Sequence, residues 1–211
     1  MVTYNKSYFM DWYALPADRG IFQHTMLILK IWDNGVNKHG LSMHTRSPRA
    51  LKREFDTRHF RTAMSQFATG VTVITTRLAD GSFLGLTASS FNSVSLDPPL
   101  VLWSLANGAS SMPIFSGNSH YVINILSAEQ AALAEQFASS KKNRFDGVDY
   151  TLSHTGHPIL NGVSAWFECH NRSRYPEGDH VIFVGEVERC EFTPKEPLIF
   201  HSGKFLLPAN K

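Results

Sequence analysis

Three clusters in this chain carry residue types that could do chemistry. The first is Gly85-Leu86-Thr87-Ala88-Ser89-Ser90-Phe91-Asn92-Ser93-Val94-Ser95, a strand-like stretch unusually dense in hydroxyls. A strand buried on both faces should be mostly apolar. Hydroxyls and bare backbone at this density can instead hydrogen-bond the edge of a polar ring or a phosphate. An exposed edge strand rich in Ser and Thr is the competing explanation. The second is the polar loop Asn107-Gly108-Ala109-Ser110-Ser111. Ser110 or Ser111 is expected to cap the short turn that follows, where free N–H groups favour a phosphate; a plain loop is the alternative. The third is Glu177-Gly178-Asp179-His180, just before a strong strand. A His beside an Asp at a turn can orient a substrate or shuttle a proton, or can simply turn the chain.

Other chemistries lack their signatures. There is no G-x-G-x-x-G and no Walker loop, so a Rossmann or P-loop reading has no support. Ser and His occur without a G-x-S-x-G elbow, which leaves a hydrolase as a weak alternative. The two cysteines, Cys169 and Cys190, form no C-x-x-C and have no His pair at zinc spacing, so no metal site is expected. Asp146 and Asp149 flank a turn and read as solvated. A formal charge of +2 is too small to argue for nucleic acid or an acidic membrane. The apolar stretch from Ile21 to Trp32 is broken by Gln23, His24 and Lys30. It suits neither a bilayer span nor a signal peptide, and a cytoplasmic protein is expected.

The elements that must position these clusters can be read from periodicity and turn chemistry. Asp56 or Thr57 should cap a helix with Phe60, Met64 and Phe67 on one face, ended by Gly70. Strands follow at Val71 to Thr76 and, after the Asp80-Gly81 turn, at Leu84 to Ser95. Pro98-Pro99 breaks the chain before a buried-type strand, Leu100 to Leu105. Met112 to Phe115 reads as a helical turn that tolerates Pro113. Tyr121 to Leu126 is a strand, and the capping box Ser127-Ala128-Glu129-Gln130 opens a helix burying Leu133 and Phe137. Further strands are expected at Ser164 to His170, Val181 to Phe192 and Leu198 to His201. Many strands with two main helices predict a mainly β fold, a closed or nearly closed antiparallel barrel.

With 211 residues, 43% of them apolar and 18% charged, the chain can bury a real core. Residues 1–50 stand apart, with six Lys/Arg against three Asp/Glu where the remainder holds 14 against 15. They form an extension with little structure of its own, an upstream start that is not translated, or an arm packed on a partner subunit. Residues 51–211 form the folded domain.

Taken in order, several segments resemble the flavin reductase-like domain family. Phe67-Ala68-Thr69-Gly70-Val71-Thr72-Val73-Ile74-Thr75-Thr76 is similar to its opening strand, and Gly85 to Leu102 to its most diagnostic stretch. Phe137-Ala138 and Phe145, then Gly178-Asp179-His180 with Phe183-Val184-Gly185-Glu186-Val187, match its later motifs. His201-Ser202-Gly203-Lys204-Phe205 resembles its closing segment. The match covers residues 55–207. The resemblance implies an FMN-binding split barrel, of Greek-key type, that forms a homodimer. It also implies the reductase component of a two-component flavin monooxygenase, such as the phenol and nitrilotriacetate systems. Such a protein reduces FMN or FAD with NADH or NADPH and supplies a separate oxygenase. By matching position, Thr87, Ala88, Ser89 and Ser90 should line the flavin. Ser104, Ser110 and Ser111 should lie near its ribityl-phosphate. His180 should face the nicotinamide, with Gly178 and Asp179 shaping the turn. Phe205 stands where many relatives have Tyr, and Asn107-Gly108-Ala109 lacks the basic residue usual near the phosphate. A tightly held flavin, or a non-enzymatic binding module, are the other readings.

Overall fold

The computed structural model describes residues 54–206; the extension expected over residues 1–50 lies outside them. The first element is α1 (Thr57–Met64). The Asp56 carboxylate caps it by accepting the His59 N–H at 2.7 Å, satisfying one of the free donors of the first turn. The helix stops at Met64 rather than reaching Gly70. The Ser65 hydroxyl donates back to the Thr62 carbonyl at 2.7 Å, and Thr69 and Gly70 are drawn into a strand, β1 (Thr69–Gly70). The apolar face of this segment is exposed. Phe60 is 49%, Met64 52% and Phe67 76% exposed.

The main sheet is built from β2 (Thr72–Arg77), β3 (Phe83–Ala88), β4 (Asn92–Leu96), β5 (Pro99–Ala106), β6 (His120–Ile125), β9 (Ala165–Glu177) and β10 (His180–Phe192). Helix α2 (Met112–Gly117) follows β5, and α3 (Ala131–Ala138) follows β6. The hairpin β7 (Tyr150–Leu152) and β8 (Pro158–Leu160), and the strands β11 (Ile199–His201) and β12 (Lys204–Leu206), complete the described chain. The Asp80-Gly81 turn forms as expected: Asp80 accepts the Ser82 N–H at 2.9 Å and Gly81 takes φ +87°.

The strand order is β3-β2-β6-β9-β10-β5-β4, antiparallel throughout. The single strand expected from Leu84 to Ser95 is therefore two strands, and they sit on opposite edges of the sheet. A flat sheet of this order would hold those edges roughly 29 Å apart. Yet only Ser89, Ser90 and Phe91 link them, a connection reaching about 14 Å at most. The sheet must curl until its edges meet at that end, which makes a barrel closed at one end and split at the other.

The barrel interior is filled by Ile74, Trp103, Phe115, Tyr121, Ile123 and Phe183. Trp103 stacks on Phe183 at 4.7 Å and meets Phe115 and Tyr121 edge-on. A second cluster, with Val71, Val73, Leu126, Phe137, Leu160 and Leu198, lies under α3. The Ser127 capping box opens a 3-10 turn that runs into α3, with Gln130 accepting the Ser127 N–H at 3.0 Å. Among the described residues no helix is long and apolar enough to cross a membrane, and no group of His, Cys, Asp or Glu is arranged to hold a metal.

Candidate functional site

A cleft of about 240 Å³ opens where β3 meets the loop after β5 and the segment after α3. One wall is apolar, from Phe83, Leu84, Gly85 and Phe145; the rest is Ser110, Ser111, Ser140, Lys141, Lys142 and Arg144. The expected phosphate-loop serines are thus brought to a strongly cationic surface. Ser111 occupies the N-cap position of α2 but makes no side-chain cap; its carbonyl accepts from Ile114 and Phe115 instead. Its hydroxyl therefore stays available to the cleft, contrary to the capping expectation.

The basic residues come from an element that the sequence analysis did not single out. Gln136 on α3 donates to the carbonyls of Arg144 and Asp146, at 2.8 and 2.9 Å. This folds residues 139–146 back along the helix. Phe145 packs edge-on against Phe137 at 5.0 Å, and Arg144 Nη1 donates to the Gly85 carbonyl at 2.9 Å. Lys141 and Lys142 are thereby carried to the cleft mouth. The run Ser140-Lys141-Lys142-Asn143-Arg144 was the available signal, but a charge run after a helix ordinarily reads as a solvated face.

Two hydroxyls of the diagnostic stretch, those of Thr87 and Ser90, have structural partners. The Thr87 hydroxyl donates to the Ala134 carbonyl at 2.6 Å, anchoring α3 on β3. The Ser90 hydroxyl accepts the Ser104 N–H at 2.9 Å. Ala88 is half-buried and Ser89 exposed, at the crossing between the sheet edges. What these residues can offer a ring is chiefly backbone. Phe205 lies elsewhere, on the three-stranded β1-β11-β12 sheet, against Phe200 at 5.5 Å.

The third cluster is the tip of the β9–β10 hairpin. Gly178 takes φ +61°, a conformation that favours glycine. His180 Nδ1 lies 2.7 Å from the Asp179 carboxylate. The hydrogen bond from His180, and then its charge, hold the Asp179 carboxyl below its ordinary value. An ionised carboxylate can only accept, so Nδ1 carries the hydrogen and Nε2 is the free ring nitrogen. This tip is tied to the loop expected to hold the phosphate. The Asn107 N–H donates to the Asp179 carbonyl at 2.9 Å, and its side-chain amide to the Gly178 carbonyl at 3.2 Å.

Residues 64–206 match the family described as the flavin reductase like domain. The chain belongs to this family. Among its relatives, the FMN reductase (NADH) SmoA of Agrobacterium fabrum is 43% identical over 150 residues, 71% of this chain and 85% of that protein. The reductase component of the flavin-dependent trigonelline monooxygenase of Acinetobacter baylyi is 41% identical over 72% of this chain. The match spans only 49% of that longer relative. Among solved structures, the NADH:FAD oxidoreductase SgcE6 of Streptomyces globisporus, in complex with NAD and FAD fragments, superposes with a TM-score of 0.70. It is 36% identical, covering 73% of this chain and 93% of that one. Membership accounts for the split barrel.

A flavin of this family suits the cleft on its own chemistry. Three cations line it with no carboxylate among the described lining residues, beside a wall of two phenylalanines and a leucine.

Proposed function

We propose that this protein is an NAD(P)H:flavin oxidoreductase that reduces FMN or FAD and supplies it to a separate flavin-dependent monooxygenase. The observation that carries the reading is the link through Asn107. It ties the turn that carries the Asp179–His180 pair to the loop that leads into Ser110 and Ser111 of the cationic cleft, which supports an anion site and an oriented imidazole acting together. When bound, the flavin accepts hydride from the nicotinamide, and that chemistry belongs to the cofactors.

The protein's share is position and field. Ser110, Ser111, Lys141 and Lys142 bind the phosphate. Backbone N–H groups from Thr87 to Ser90 stabilise negative charge on the ring, and Ser104 holds Ser90 in place. His180, oriented by Asp179 and the Gly178 turn, positions the nicotinamide and is the catalytic-site residue of this scheme. We assign residues 51–211 to this domain and residues 1–50 to an extension, and place the protein in the cytoplasm. Homodimerisation is part of the proposal, supported by the exposed apolar face of Phe60, Met64 and Phe67; large exposed apolar patches mark interaction sites.

The test is oxidation of NADH and NADPH by the purified chain with and without FMN, FAD or riboflavin. Rapid oxidation only with free flavin added is the expected result and ranks the flavins. No oxidation with any combination would overturn the enzyme reading.

A further inference from the structure

The hairpin tip carrying Asp179 and His180 is paired within itself as far as His180↔Glu177, which leaves the turn residues Gly178 and Asp179 to be held from outside. Residues 174–179 are all exposed, beyond the barrel core. The regular β5–β10 ladder reaches only to the pair His180↔Ala106. Past that pair, Asn107 continues the contact twice, with its backbone N–H on the Asp179 carbonyl and its Nδ2 on the Gly178 carbonyl. Both peptide carbonyls of the turn are therefore held by one residue. With them fixed, Gly178 is kept at its positive φ and the Asp179 carboxylate is kept against His180 Nδ1.

Asn107 also belongs to the other half of the site. Ala106 to Ala109 is a turn closed by the Ala109 N–H on the Ala106 carbonyl at 3.0 Å, and it leads directly to Ser110 and Ser111. We propose that Asn107 is a positioning residue for hydride transfer, whose side-chain amide sets the His180 imidazole relative to the flavin-phosphate loop. This rests on the assignment of His180 to the nicotinamide. The competing role is that of a plain turn-former, for which Asn beside Gly108 is well suited. The side chain's donor distinguishes the two. A turn-former needs only the backbone shape of Asn or Asp, whereas the clamp needs an N–H facing Gly178. In Asn107→Asp the shape is kept, but an oxygen opposes the Gly178 carbonyl.

The experiment compares the full chain with Asn107→Asp, Asn107→Ala, His180→Ala and the double variant Asn107→Ala/His180→Ala. Nicotinamide and flavin KM values are measured, together with amide hydrogen exchange across residues 178–180 in flavin-free protein. Both Asn107 variants should raise the nicotinamide KM roughly five- to tenfold, the scale of one lost hydrogen bond, with the flavin KM changed less than about twofold. They should also speed exchange at the turn. Adding Asn107→Ala to His180→Ala should change the nicotinamide KM little further, since residues acting through one another are not additive. Multiplying effects would overturn the proposal. So would an unchanged nicotinamide KM in Asn107→Asp, the variant that decides if Asn107→Ala does not fold. Wild-type behaviour in His180→Ala would instead remove the nicotinamide reading itself, and is told apart by that single variant.

Discussion

Ser90 and Ser104 are joined twice. The Ser90 hydroxyl accepts the Ser104 N–H at 2.9 Å and donates to the Ser104 carbonyl at 3.3 Å. This pair pins the crossing between β3 and β4 to the middle of β5, where the two sheet edges are forced together. A hydroxyl that completes a backbone ladder in this way is a substitute for the strand pairing that the crossing interrupts. Ser90→Ala should cost about 1 kcal/mol, the usual net value of such a bond. The expected result is a lower urea midpoint with an unchanged slope. An unaltered midpoint would show that the crossing holds without it.

Gly85 should not tolerate a side chain. A Cβ there would lie 2.5 Å and 2.7 Å from two ring carbons of Phe137, which is fully buried and packed against Phe145. Gly85→Ala should destabilise the chain by about 1–3 kcal/mol through overpacking. Because Phe145 and Gly85 both line the cleft, flavin affinity should fall as well. Thermal unfolding and flavin titration together check this, and a wild-type melting temperature would contradict it.

Lys141 and Lys142 supply charge to the cleft without a structural partner of the kind that Arg144 has in Gly85. The double variant Lys141→Ala/Lys142→Ala should weaken flavin-phosphate binding on the order of tenfold or more. The loss should be largest at low salt, because exposed charges are screened as ionic strength rises. Riboflavin, which has no phosphate, should be almost unaffected. Equal losses for FMN and riboflavin would place the phosphate elsewhere.

Stability should fall on acidification through Glu168. Its carboxyl is fully buried and accepts the Thr155 N–H at 2.8 Å and hydroxyl at 2.6 Å, with Arg189 at 3.3 Å. Burial alone pushes it up, but donors from Ser153, Thr155 and Arg189 outweigh burial and hold it at about 2, below its ordinary 4.5. The folded value lies below the unfolded one. Ionised Glu168 therefore stabilises the fold above about pH 4.5, and this is lost as the pH falls from 4.5 toward 2. Buried His157 acts in the same direction. Burial, and then the charge of His120, lower its pKa from 6.5, so the folded state resists the protonation that the unfolded chain accepts. Glu168→Gln should cost on the order of 1–3 kcal/mol at neutral pH and flatten the acid limb of the stability profile. A parallel acid limb in denaturant titrations would rule Glu168 out as its source.

Much of this molecule was legible in the chain. The Asp56 cap, the Asp80-Gly81 turn, the Ser127 capping box and the apolar run from Leu100 to Leu105 are local signals, set by hydrogen bonding and composition within a few residues. Motif order from Phe67 to Phe205 was enough to imply the family. Nonlocal geometry was not legible. One hydroxyl-rich stretch read as a single strand because its propensity is continuous. Only barrel closure decides that it must be cut at Ser89 to Phe91 and its halves sent to opposite edges. The apolar face of α1 has a burial period, but periodicity cannot say what covers it. The cations of the cleft sit 30 to 34 residues along the chain from the serines they join, so only Gln136, Phe145 and Arg144, folding residues 139–146 against β3, could show that the two meet. The link from Asn107 to Gly178 spans 71 residues and depends on the register of β5 against β10. Local chemistry chose the elements; the closure of the sheet chose which of them share a site.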